Sequence, residues 1–364
     1  MSALKTYLFD MMKKENNTSG MSLDQGPSFL FGHDEQIDFL LDRIKTSQIP
    51  NAWLFHGPMG VGKASTALNI AKVLSNIDFS NKDHVTCISK EDIRNPKTSV
   101  NINNVFLCRR RWDEKRKLFQ KYISIEDIRE LNRKFSLSST DNFYKVCIVD
   151  TTEDLNISAS NSLLKTLEEP PKNTLFILVS NNQQTILPTI LSRCQKVAFQ
   201  RLKEKDLRDI YTSFVNESKF DQTIDASAVA SSEGSVRKLL NFLDKDYIKI
   251  FNSIETLLKD IPNLNKKKVV TLFSGNKDYL SSSDPDKSAF GILLRLLSSI
   301  AKKEIILKID TKFGNDDIAL ISAHLYSQIS LLRYETLEYN LEPKKAILLA
   351  LNTIELAFAK HRKK

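Results

Sequence analysis

Apolar and polar positions change rhythm several times along this chain. A polar amino-terminal stretch with scattered Gly and Ser gives way after Phe31 to "HDEQIDFLLDRIKTSQ", where Ile37, Leu40, Leu41 and Ile44 recur at helical spacing. Short apolar runs follow: "AWLFHG" from Ala52, "NVFLC" from Asn104, "KVCIVD" from Lys145 and "TLFILVS" from Thr174. Each is rich in Val, Ile, Leu and Phe and is followed by a polar loop or helix, a pattern that predicts parallel strands buried on both faces. "QKVAFQRL" from Gln195 is a candidate fifth strand. The expected class is α/β with a parallel sheet, up to about residue 201.

Beyond Arg201 the strands stop. "KEKDLRDIYTSFVNES" and "SVRKLLNFLDKD" read as amphipathic helices, and helical signals continue to Lys364 between turns at "DIPNL", "FSGNKD", "SSSDPDKS" and "KFGNDD". No regular period marks a solenoid. The expected organisation is a weakly ordered extension over 1–29, an α/β domain over 30–201, a small helical domain over 202–247 and a larger one over 248–364. The longest apolar stretch, "AILLALNTIELAFA" from Ala346, is broken by Asn352, Thr353 and Glu355 and reads as a core-facing helix rather than a membrane span.

Composition narrows the picture only slightly. With 41% hydrophobic and 27% charged residues the chain is expected to be a soluble folded protein. Its four cysteines form no C-x-x-C pair, so neither a disulfide framework nor a common zinc pattern is indicated, and reduced thiols in the cytoplasm are expected. His84, Cys87 and Cys108 could supply three metal ligands at most, too few to close a tetrahedral site, and no metal is expected. The amino terminus has no apolar h-region. A net charge of +9 suits a polyanionic partner such as DNA but does not by itself indicate one.

The chemistry begins at "HGPMGVGKAST", His56 to Thr66. Gly57, Gly62 and Lys63 fit the phosphate-loop pattern G-x-x-x-x-G-K, with Gly60 inside the loop, and the run stands between a strand and a helix as that motif requires. Backbone amides of such a turn surround phosphate oxygens, and Lys63 would reach the outer phosphates. Ala64 stands where a hydroxyl should hold magnesium, and Ser65 lies about 100° further round the helix. The plainer reading is a glycine turn that joins strand to helix. Asp150, ending the "KVCIVD" run, is either the acidic half of a nucleotide site or a cap. Thr151 follows it where a water-polarising Glu would be needed, and Glu153, two residues later, is expected to point elsewhere. The site reads as disabled for hydrolysis.

"SASNSLLKTLEEPPKNTLFILVSNNQQTILPTILSRCQ", Ser158 to Gln195, resembles the core of bacterial clamp-loader subunits of DNA polymerase III, members of the AAA+ superfamily. The Asn161–Pro171 and Thr189–Cys194 segments are its most specific parts, and "FGHDEQ", "IPNAWLFHGPMGVGKA" and "SSEGSVRKLL" extend the likeness from about Phe31 to Leu243. The resemblance implies an AAA+ domain followed by a helical lid and a carboxy-terminal helical collar that ties a ring together. Two kinds of subunit share these segments: an ATP-hydrolysing motor, gamma/tau, and delta-prime, whose own site has degenerated. Ala64 and Thr151 align this chain with the second. The implied partners are gamma/tau motor subunits and a delta subunit in a hetero-pentamer, a sliding clamp and primer-template DNA, with no membrane. An enzymatic role follows only through membership of the polymerase holoenzyme.

The same resemblance makes Arg193 an arginine finger acting in trans on a neighbouring subunit, fixed by Ser192 and Cys194 at the end of a "TILPTILSRC" helix; the alternative is that it neutralises that helix terminus. Gly57, Gly60, Gly62, Lys63, Asp150 and Arg237 form the degenerate nucleotide site, where no cofactor is certain and Lys63 with the loop amides keeps the means to hold ADP or ATP weakly. Ser180 and Asn181 occupy the place of the gamma-phosphate sensor and are expected to serve packing. Delta-prime proteins often carry a four-cysteine zinc module that this chain lacks. In its place stands a basic run, Arg109 to Lys121 with Trp112 and Phe119 interleaved, which Asp113 and Glu114 interrupt and which reads as a solvated turn. The rival readings are an ATP-hydrolysing motor or helicase-loader ATPase, which needs a hydroxyl at 64 and an acid at 151, and a nucleic-acid-binding module resting on charge alone.

Overall fold

The strand pattern is realised in full. β1 (Ala52–His56), β2 (Val105–Cys108), β5 (Lys145–Asp150), β6 (Thr174–Ser180) and β7 (Gln195–Ala198) form a five-stranded sheet in the order β2-β5-β6-β1-β7. Every pairing is parallel, with Ala52 opposite Phe176, Val146 opposite Leu175, Val105 opposite Val146 and Phe55 opposite Val197. Between β2 and β5 the chain adds a two-residue antiparallel pair, β3 (Trp112–Asp113) with β4 (Leu118–Phe119). This hairpin is not visible in the sequence, because two residues per strand leave no alternation to read.

The structure, a computed structural model, describes residues 29–97, 104–113, 118–137, 143–218, 226–242, 244–259, 288–311, 316–339 and 341–361. The extension over 1–28, the Lys115–Lys117 run and the turns between 260 and 287 lie outside the described residues. The chain divides into two compact units, Met1–Arg237 and Lys238–Lys364.

In the first unit side chains alternate across the sheet. Trp53 and Phe55 of β1 pack with Leu175, Ile177 and Val179 of β6 on one face, together with Ile37, Leu40 and Ile44 of α1 (Asp34–Lys45) and Ile70 and Leu74 of α2 (Lys63–Leu74). Two short helices, α3 (Lys82–Thr86) and α4 (Lys90–Arg94), add Val85 and Ile93 there. Ala52 and Leu54 face the opposite side with Cys147, Val149, Phe176 and Leu178, covered by α5 (Ile125–Leu137) and α6 (Ile157–Glu168) through Ile128, Leu131 and Leu163. A sheet buried on both faces is the reason its strands are continuous apolar runs. After β6 come α7 (Pro188–Leu191) and, past β7, α8 (Glu204–Ser218) and α9 (Ala226–Ser231). α10 (Val236–Asn241) runs across the division between the units.

The second unit is helical, with α11 (Lys245–Lys259), α12 (Ala289–Thr311), α13 (Asp316–Glu338) and α14 (Pro343–His361). Tyr247, Ile250, Ile254, Ile292, Leu293 and Leu297 are buried within it, and Arg295 Nη1 donates to the Tyr247 hydroxyl at 2.7 Å. The core-facing expectation for "AILLALNTIELAFA" holds for Ala346, Ile347, Ala350, Leu351 and Ile354. It needs correction for Leu349 and Leu356, which are each 53% exposed. An apolar residue on a helix reads the same in sequence whether its face is covered or bare.

Candidate functional site: the phosphate loop and the Arg193 edge

The loop between β1 and α2 is built on glycines that nothing larger could replace. Gly57 has φ 142°, and a Cβ there would stand 2.0 Å from the Phe199 carbonyl oxygen. Gly60 has φ 78°, and a Cβ there would meet Ser235 Oγ at 2.4 Å and Arg237 Cβ at 2.6 Å. The reason is that the chain around Arg237 lies on the loop: Arg237 N–H donates to the Gly60 carbonyl at 3.3 Å and Ser235 Oγ to the Met59 carbonyl at 3.2 Å. From the other side the His33 ring is 2.8 Å from the Val61 carbonyl and sits edge-on to Phe199. Burial lowers the His33 pKa, with the Val61 carbonyl opposing that shift.

Lys63 opens α2 and turns back into the loop. Its Nζ donates to the Gly57 carbonyl at 2.8 Å, the Pro58 carbonyl at 2.6 Å and Asn181 Oδ1 at 3.0 Å. Burial pushes its pKa down from the ordinary 10.5 to about 8, while the Glu153 and Asp150 carboxylates pull it partly back. Ala64 and Ser65 follow it on α2, and Thr66 Oγ1 is spent on the Gly62 carbonyl at 3.0 Å. The position that should supply a magnesium ligand supplies a methyl group.

Glu153 corrects the sequence reading. Rather than pointing away, its Oε1 accepts from Ser180 Oγ at 2.8 Å and from the backbone N–H groups of Asn181 and Asn182 at 2.5 and 2.6 Å. The 3-10 turn Thr152–Asp154, with Thr152 Oγ1 on the Val179 carbonyl at 3.0 Å, swings the carboxylate over the end of β6. Glu153 Oε2 is buried without a hydrogen-bond partner among the described residues. Ser180 is fully buried, as a packing role requires, while Asn181 adds a bond to Lys63. Glu153, Asn181 and Lys63 therefore form one chain of contacts between the ends of β5 and β6 and the loop. Spacing alone could not reveal it, because it depends on the turn after Asp150.

Arg193 lies on a different edge. The expected helix from Thr185 is shorter than its sequence suggested: a 3-10 turn at Gln183–Thr185 precedes α7, whose first residue is Pro188, and Arg193 falls two residues past its end. Proline has no N–H to continue an earlier helix, which separates the two segments. Arg193 Nη1 donates to the Thr189 carbonyl at 2.9 Å and to Ser192 Oγ at 3.4 Å, and Nη2 to Glu168 Oε1 at 2.5 Å. The Arg193 side chain is 36% exposed. Cys194 beside it is partly covered, and burial raises its thiol to about 12. The contact to Glu168 is absent from the sequence reading. A carboxylate in the last turn of a helix opposes the helix dipole, and that is the available signal of a cationic partner.

Two arginines of the basic run are paired within the chain. Arg110 Nε lies 2.9 Å from Asp154 Oδ2, and Arg111 contacts Asp127 at 2.6 Å and Glu130 at 2.8 Å. Among the described residues no three His, Cys, Asp or Glu side chains gather to hold a metal ion, and no described helix is long and apolar enough to cross a membrane.

A parallel α/β sheet with a glycine loop and lysine between its first strand and the next helix is the P-loop arrangement, here without the magnesium hydroxyl. Residues 32–203 match the family described as DNA polymerase III, delta subunit. Relatives include the delta-prime subunit of DNA polymerase III of Bacillus subtilis, 31% identical over 47% of this chain and 48% of that one. The tau subunit of the same organism is 27% identical over 66% of this chain and 39% of that one. Residues 32–203 thus carry the sequence pattern of the DNA polymerase III delta-prime/gamma-tau clamp-loader family, and the chain spans half or less of the length of these two relatives. Among solved structures, a DNA polymerase III gamma subunit-related protein of Thermotoga maritima aligns over 88% of this chain and 99% of its own, with 19% identity and a TM-score of 0.46.

Proposed function

We propose that this chain is a delta-prime-type, non-hydrolysing subunit of a clamp loader, supplying Arg193 in trans to the nucleotide of a neighbouring motor subunit while the ring places a sliding clamp on primed DNA. The observation that carries the reading is the contrast between two edges. At the local loop Ala64 and Thr151 remove the magnesium ligand and the water-activating acid, and Lys63 is spent on the loop's own carbonyls. At the other edge a partly exposed guanidinium stands just past a helix end, where it can meet a developing phosphate charge. The exposed apolar residues of α13 support a collar role for the helical unit, since a helix that is apolar beyond its buried face calls for a covering partner. Gly57, Gly60, Gly62, Asp150 and Arg237 then belong to an inherited cradle that holds ADP or ATP weakly at most.

An ATP-hydrolysing motor is the second reading, favoured by one observation: Glu153 places a carboxylate inside the site. Its Oε1 is already occupied by three donors, which disfavours it as a base. Steady-state ATP hydrolysis by the isolated chain, with magnesium and with or without primed DNA, separates the two. Background rates are expected; turnover near about 1 s⁻¹, the low end of ordinary enzymes, overturns the delta-prime reading. In a complex reconstituted with motor and delta subunits, Arg193→Ala is expected to slow turnover at the adjoining motor site while Lys63→Ala leaves it unchanged. An assembled Arg193→Ala complex with undiminished turnover there reduces Arg193 to a helix cap.

A further inference from the structure

Arg193 is held by its own subunit on two sides. Nη1 caps α7 through the Thr189 carbonyl, and Nη2 is paired with Glu168 Oε1 at 2.5 Å. Glu168 closes α6, where a negative charge is disfavoured by the helix dipole, so its carboxylate gains from the guanidinium as much as it restrains it. Both side chains are partly in water, 36% exposed for Arg193 and 49% for Glu168, and pairs of that kind are weak enough to exchange partners. A phosphate oxygen and a carboxylate oxygen compete for the same guanidinium donors.

We infer that Glu168 is a latch: a positioning residue that keeps Arg193 turned onto its own subunit and partly neutralised until the terminal phosphate of a neighbour's nucleoside triphosphate displaces the carboxylate. The contact to Thr189 engages the other guanidinium nitrogen, so the arginine can give up Glu168 while staying anchored to the end of α7. The α7 cap sets where the guanidinium is, and the latch sets when it is available. This rests on the reading of Arg193 as a finger acting in trans.

Glu168→Gln keeps an oxygen acceptor at the same reach and removes the charge that competes with phosphate. In the reconstituted complex with ATP, this variant is expected to raise turnover at the adjoining motor site in the absence of primed DNA by about two- to fivefold, the exchange expected of a half-exposed ion pair. The gain is expected to vanish in the Glu168→Gln/Arg193→Ala double variant, whose turnover matches Arg193→Ala alone; a merely structural Glu168 would lower turnover in both backgrounds. Thermal unfolding of each isolated chain checks the fold, and Glu168→Ala repeats the measurement if Gln lowers stability. Turnover unchanged or reduced by Glu168→Gln and Glu168→Ala, with Arg193→Ala still slowing the motor, overturns the latch and leaves the finger. Turnover unaffected by Arg193→Ala overturns the finger and the latch together.

Discussion

Lys63 shows what a buried lysine in a phosphate loop costs a protein. Its ammonium is buried with 4% of its surface exposed and is satisfied by two loop carbonyls and Asn181. That arrangement still holds the pKa near 8 against an ordinary 10.5. Between those values the unfolded chain binds more protons than the folded one, so stability rises with pH across that window and the charge is an unrelieved cost below it. The size of the effect is about 3 kcal/mol, since each tenfold change in proton affinity is worth roughly 1.4 kcal/mol. Urea unfolding of the wild type and Lys63→Met at fixed pH from 7 to 10 is expected to show the wild type gaining on the variant above pH 8. A constant difference would mean that Lys63 is better solvated than its contacts indicate. The glycines, Lys63 and the missing hydroxyl at 64 were legible in the sequence because their chemistry resides in residue identity. Glu153 was not, because its direction is set by the turn at Thr152–Asp154 and by donors at and just past the end of β6 that lie 27 to 29 residues away.

The strands of the large sheet and the first helix were readable because they are long enough to carry a pattern. All five strands and the helix from Asp34 to Lys45 stand where the apolar runs placed them, since a buried parallel strand and an amphipathic helix leave different traces over four to twelve residues. The two-residue β3 and β4 fall below that length, and the four-residue α7 makes barely one helical turn, too little to show a helical period. What sequence could not give was how tightly β1 and its loop are wedged against the chain after β7, where Phe199 N–H donates to the His56 carbonyl at 2.8 Å. Gly57→Ala forces a methyl group into the Phe199 carbonyl and is expected to destabilise the protein by on the order of 3 kcal/mol, the upper range for a strained backbone position. Ala64→Ser, at a partly exposed position on the next helix, is expected to leave the melting temperature nearly unchanged and to restore no ATP hydrolysis, because Thr151 still supplies no acid. Thermal melts and ATPase assays of the two variants check both halves. A Gly57→Ala protein as stable as the wild type would show that the β1–β7 junction yields easily.

At the scale of the whole molecule, the helical unit is apolar in places its own core does not use. On α13, Leu325 and Ile329 are buried, whereas Leu320, Leu331 and Tyr334 are 71, 58 and 60% exposed. Positions 320, 331 and 334 fall within about 60° of one another around a helix, so they share a face. The sequence marked the helix but could not tell this face from the buried one, because covered and uncovered leucines share one hydrophobic pattern. The collar role proposed for this unit would be served by such a face. The double variant Leu331→Glu/Tyr334→Glu removes apolar surface that the isolated chain leaves in water, so its stability is expected to stay within about 0.5 kcal/mol of the wild type. Mixed with motor and delta subunits, it is expected to elute as free chain in size-exclusion chromatography with light scattering, where the wild type enters the larger complex. Entry of the double variant into that complex with undiminished occupancy would move the ring contacts off this face of α13. Loss of stability in the isolated chain would instead show that Leu331 and Tyr334 support the fold of their own unit.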